Sequence, residues 1–137
     1  IKSGGGVGID TSDPNSSLHV NGSFATKIRI ATTNNGGSAT VTVGENDHTI
    51  FLQNTGMTVN LPPASADNAG REYRIKMTVN GTFIIKTTNN QPFDLPGTGA
   101  GQTSFTVANN LNATNGSRVG ARCTVVSDGS KWYIVEL

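Results

Sequence analysis

Residues able to move protons, attack a carbonyl or hold a metal are few in this chain, and they lie far apart. His19 falls between Leu18 and Val20, and His48 opens an apolar stretch after a turn. Neither has a second histidine or a cysteine at zinc-site spacing, and no Asp-rich loop matches a calcium hand. Asp10 and Asp13 flank a turn with Ser12, where such residues serve by bonding the local backbone, so no metal is expected. Gly4-Gly5-Gly6-Val7-Gly8 lacks the lysine and helix of a phosphate loop. The single cysteine, Cys123, sits in an alternating apolar run and reads as a small core residue. The chain is therefore read as non-enzymatic and without a cofactor. What remains is binding chemistry, carried by amides, hydroxyls and aromatic rings. Trp132 and Tyr133 face opposite ways on one strand; Trp132 is assigned to the core, leaving Tyr133 as a ring on which a sugar could stack. Five glycosylation sequons, at Asn15, Asn21, Asn80, Asn112 and Asn115, are expected by chance in so Asn- and Thr-rich a chain.

These residues need a scaffold, and the composition limits its kind. The 137 residues suit one domain, yet only 34% are hydrophobic and 6% aromatic, with 17 glycines that bury no side chain. So thin a core implies stability from another source. A net charge of +1 and a pI near 8.1 supply no field for phosphates, so nucleic acid is not an expected partner. No apolar run reaches membrane-spanning length, and no membrane insertion is expected. The sequence starts at Ile1 without Met, which suggests a piece of a longer protein.

Along the chain the signals are those of short strands. The last twenty residues alternate through Cys123 and Val125, turn at Asp128-Gly129 and return through Trp132 and Ile134, predicting a hairpin at the centre of the core. Tyr73, Ile75 and Met77, then Asn80-Gly81, then Phe83 to Ile85 predict a second hairpin. Thr49 to Gln53 and Met57 to Leu61 read as paired strands ended by Pro62-Pro63, and Ser65 to Gly70 as one helical turn. The polar stretch from Thr87 to Gln102 reads as an exposed loop or irregular edge. Nine or ten short strands with almost no helix indicate an all-β antiparallel sandwich over residues 25–137. Residues 1–24 differ: Val7 and Ile9, then Leu18 and Val20, form apolar pairs separated by turns, with no partner in view. They suit either a narrow stalk shared with other chains or a disordered leader.

Two stretches carry a family resemblance. Val7-Gly8-Ile9-Asp10-Thr11-Ser12-Asp13-Pro14-Asn15-Ser16-Ser17-Leu18-His19-Val20-Asn21-Gly22 resembles the VGIGT-x-x-P-x-x-x-LHVNG segment of bacteriophage tail-fibre stalks and related bacterial surface proteins, with Asp10 where the pattern has glycine. Val59-Asn60-Leu61-Pro62-Pro63-Ala64, Gly70 to Lys76 and Val125 to Ile134 are similar to C-terminal β-domains of phage fibres. The resemblance implies a homotrimer on a virion, with Val7, Ile9, Leu18, Val20 and Phe24 at the trimer interface and a head at the distal end of the fibre. That head would attach to a host-surface glycan or protein receptor. Loops carry function on rigid scaffolds, which points to Asn89, Asn90, Gln91, Phe93, Asn112, Asn115 and Tyr133 as receptor contacts. A trimerisation domain that binds no receptor, and a bacterial adhesin or carbohydrate-binding module, are the alternatives.

Overall fold

The structure is a computed structural model that describes residues 6–32, 39–94, 101–108 and 120–137. It is all-β. Among the described residues there are twelve strands: β1 Val7–Ile9, β2 Leu18–Val20, β3 Ile28–Ala31, β4 Thr40–Thr42, β5 Thr49–Leu52, β6 Met57–Leu61, β7 Glu72–Met77, β8 Thr82–Thr87, β9 Phe93–Asp94, β10 Ser104–Ala108, β11 Arg122–Ser127 and β12 Trp132–Glu136. β1 and β2 pair with each other. The rest form a six-stranded sheet in the order β3-β5-β7-β11-β12-β9 and a four-stranded sheet in the order β10-β8-β6-β4.

From β3 to β8 the chain alternates between these two sheets, one strand in each, and its neighbours within a sheet are parallel: β3 with β5, β5 with β7, β4 with β6, β6 with β8. The expected antiparallel arrangement is thus corrected to a mixed one: three stacked coils, closed by antiparallel β10, β11 and β12. Inward residues of both sheets meet in a single core. Ile50, Leu52, Tyr73, Ile75, Val125 and Trp132 come from one side, and Met57, Val59, Leu61, Phe83 and Ile85 from the other. Tyr73 and Trp132 stack at 5.3 Å between ring centres. Their polar tips are satisfied, the indole N–H donating to the Pro62 carbonyl at 2.8 Å and the phenol to the Gly44 carbonyl at 3.3 Å. Thin as the composition is, the buried apolar side chains among the described residues form one core within one chain.

Asn80-Gly81 does not make the expected hairpin, because β7 and β8 lie in different sheets. Alternation puts every second side chain inward whether a strand folds back beside its predecessor or arches over to the facing sheet, so the pattern is the same for both. Thr78–Gly81 forms an arch, and Gln53–Gly56 makes the same crossing one coil earlier. Packing of these two links requires Gly81: its φ is +149°, and a Cβ there would lie 2.1 Å from Thr55 Oγ1. Asp128-Gly129 does turn a hairpin. Ser127 pairs with Trp132, however, so the loop has four residues rather than two, and the ladder shifts register between Thr124 and Val125. The helical turn is a short 3₁₀ segment, Ala66–Asn68, in which the Ser65 N–H donates to Asn68 Oδ1 at 3.0 Å and Gly70 follows at φ +79°.

The N-terminal strands also differ from expectation. Instead of running extended without an intrachain partner, β1 and β2 pair in parallel, Val7 against Leu18 and Ile9 against Val20. Asp10 leaves β1 at φ +56°, the left-handed conformation glycine adopts freely and Asp tolerates.

Gly81→Ala should destabilise the protein by about 1–3 kcal/mol through backbone strain and the displaced Thr55 side chain. Gly22→Ala, whose added methyl would meet nothing within 4 Å, should change little by comparison. Urea midpoints of the two variants against wild type measure the difference.

Candidate functional site

Every described link between coils lies at one of two ends. The near end, where the chain passes from residue 27 into β3, gathers residues 43–48, 62–71, 88–92 and 128–131; the far end carries 53–56 and 78–81. Side chains lock the near end. Gln91 Oε1 accepts from the Ala64 N–H at 2.7 Å, and its amide nitrogen donates to the carbonyls of Ser130 at 2.7 Å and Ala64 at 3.3 Å. One residue thereby ties three loops. Asp128 organises the hairpin loop: Oδ1 accepts from the backbone N–H groups of Lys131 and Ser130 and from the Ser130 hydroxyl, and Oδ2 accepts from the Tyr133 hydroxyl at 2.9 Å. These bonds, the one from the Lys131 backbone foremost, hold the Asp128 carboxyl far below the usual carboxylate range. The same contact with Asp128 raises the Tyr133 phenol.

The expected receptor contacts separate on this frame. Asn89 and Asn90 are exposed at the turn after β8, Asn90 at φ +57°. Gln91 is the tie just described. Phe93, expected on an exposed loop, is corrected to the core: it is 1% exposed and pairs with Trp132 through β9, since its ring fills the layer between the sheets. Tyr133 is half-buried, with the Lys131 ammonium 5.0 Å from its ring centre and bonded to Asp94 at 2.9 Å, so one face of the ring is already occupied. Asn112 and Asn115 lie outside the described residues; Ala108 and Gly120, which bracket them, sit at the far end. Of the expected interface residues, Val7 and Val20 are half-buried and Ile9, Leu18 and Phe24 exposed, Phe24 at 78%.

Two features escaped the sequence. The first is an open cleft of ≈ 640 Å³ at the near end, lined by Lys27, Glu45, His48, Asp67 and Arg71 among others. Segments about twenty residues apart converge there only because successive coils stack. Arg71 donates to the Glu45 carbonyl, Arg74 to Glu72 at 2.6 Å, and Arg29 to Asp47 at 3.1 Å, so several of the charges around it are already engaged. His48 Nδ1 lies 3.1 Å from its neighbour Thr49 Oγ1, and His19 Nδ1 accepts from the Asn15 N–H at 3.4 Å. No group of three or more His, Cys, Asp or Glu among the described residues could hold a metal ion. Burial, with Glu136 as a smaller contribution, pushes the Cys123 thiol up to about 12, which leaves it a poor nucleophile.

The second is β3, at the edge of the six-stranded sheet. Arg29 and Ala31 face inward, while Ile28 and Ile30 face outward, Ile30 61% exposed. In register beside Ile30 on the outer face lies Phe51.

Comparison with known proteins gives no relative: no protein-family model matches the chain, and no curated protein or solved structure is significantly similar to it.

Asp128 sets a pH dependence. Its folded pKa is depressed, so its contribution to stability is present above about pH 4, the ordinary carboxylate value, and is lost as pH falls through the folded value. The urea midpoint of wild type should exceed that of Asp128→Ala at neutral pH, and the gap should shrink on acidification below about pH 3.

Proposed function

We propose that the chain is the tip of a bacteriophage fibre, a homotrimer on the virion in which residues 1–24 belong to a stalk and residues 25–137 form a two-sheet head that attaches to a host-surface receptor. The observation that carries this reading is the N-terminal ladder. Among the described residues β1 and β2 pair with no other strand, and Ile9, Leu18 and Phe24 remain exposed around them. Apolar side chains on so small a ladder have a physical use when neighbouring chains cover them. The VGIDTSDPNSSLHVNG resemblance points the same way.

The layout of the ends assigns roles within that reading. The stalk joins the head at the near end, so the far end is the outermost surface. Gln53, Asn54, Thr55, Thr78, Asn80 and Thr82 supply uncharged amides and hydroxyls there. Such groups match sugar hydroxyls. Three shallow sites held on one axis act at high effective concentration, so weak single contacts suffice for attachment. Asn89, Asn90 and Tyr133 sit on the stalk side, where contact with a host surface comes second. A trimerisation domain without a receptor is the second reading, and the position of the ≈ 640 Å³ cleft at the stalk side favours it. On that reading the cleft faces other fibre segments.

Light scattering on the full chain should give about 43 kDa, three times 14.2 kDa. On a glycan array and in competition with fibre-mediated adsorption to host cells, the trimer should bind and compete. A trimer inert in both assays selects the structural reading, and a monomer at all concentrations removes the fibre.

A further inference from the structure

The orientation of β3 has a physical cause that lies inside the chain. A strand with the sequence Ile-Arg-Ile-Ala at a sheet edge ordinarily turns its isoleucines to the core and its arginine to water, and a slip of one residue would do so here. The structure has the opposite arrangement. Arg29 Nη1 donates to Asp47 Oδ2 at 3.1 Å and to the Thr42 carbonyl at 2.9 Å. Asp47 is only 7% exposed and also accepts from the Gly44 N–H at 2.9 Å. A partly buried ion pair thereby holds the register that leaves Ile28 and Ile30 outside, next to Phe51.

We infer that this outer face of β3 and β5 is the part of the head that packs against the other copies of the chain, continuing the stalk contact into the folded domain. The inference rests on the trimeric reading above. One observation selects a copy of the chain as the occupant. Phe24 precedes Ile28 by one short link, so the exposed apolar side chains Ile9, Leu18, Phe24, Ile28 and Ile30 follow one another along the chain from the ladder into the head. A copy related by rotation presents the same succession in the same order; an unrelated partner would need to match both parts separately. The patch is bordered by charge, since Arg74 lies in register beyond Thr49 and Lys76 beyond Phe51, giving the apolar centre and polar rim of a protein interface. Ile28, Ile30 and Phe51 alone fall short of the ~800 Å² per partner of a stable complex, so the face works only together with the stalk.

The test compares full-length variants by light scattering over a micromolar concentration series, with far-UV circular dichroism to verify folding. Ile28→Glu combined with Ile30→Glu should raise the dissociation concentration of the trimer by at least about 100-fold. Thr40→Glu, exposed on the other sheet, should leave it unchanged. If the double variant is folded and trimeric like wild type, the inference fails while the fibre reading stands. If wild type is a dimer that the double variant dissociates, the face is right and the trimer wrong; if wild type is a monomer, both fall. Should the double variant not fold, Ile30→Cys with a bis-maleimide replaces it, the native Cys123 being buried. Covalent oligomers from Ile30→Cys and none from Thr40→Cys support the inference, and their absence from both overturns it.

Discussion

The structure depends on one apolar layer shared by two sheets. Each of the central strands presents one face to that layer, and Trp132 on one side and Phe83 on the other are fully buried in it. Because consecutive strands from β3 to β8 sit on opposite sides, each link must pass over an end of the layer, and strands that become neighbours in a sheet run the same way. Parallel pairing here follows from the route of the chain. Every turn of the coil also exposes its links at the two ends, where backbone groups must find partners outside the ladder.

At the near end those partners are side chains. Gln91 bonds the backbone of two loops distant in the chain, Asn68 and Asp128 bond the backbone of their own loops, and Asn68 Oδ1 also accepts from the distant Ser127 hydroxyl at 2.8 Å. Polar residues that composition alone assigns to solvent are thereby structural. The same network explains why Gln91 and Phe93, expected as contacts, are parts of the scaffold, and why Tyr133 has one face covered by Lys131.

The N-terminal region obeys a different balance. From Ile9 to Ile30 most of the large apolar side chains stay in water, because among the described residues no second layer covers the three-residue parallel ladder or the outer face of β3. Arg29 and Asp47 hold this arrangement in place at β3.

Local pattern in the amino-acid sequence determined most strands, the all-β class, the Asp128-Gly129 hairpin, the burial of Cys123 and Trp132 and the short helical turn after Ser65, because each follows from neighbours within a few residues. Alternation could not say which strands share a sheet, since hairpin and arch bury the same side chains; Tyr73 to Ile85 was legible as two strands but not as a crossing. Nor could it assemble the cleft from Lys27, Glu45 and Asp67, or turn β3 with its arginine inward. Those outcomes depend on contacts between segments some eighteen or more residues apart, such as Arg29 with Asp47 and Gln91 with Ser130, and only the stacking of the coils brings such groups within bonding distance.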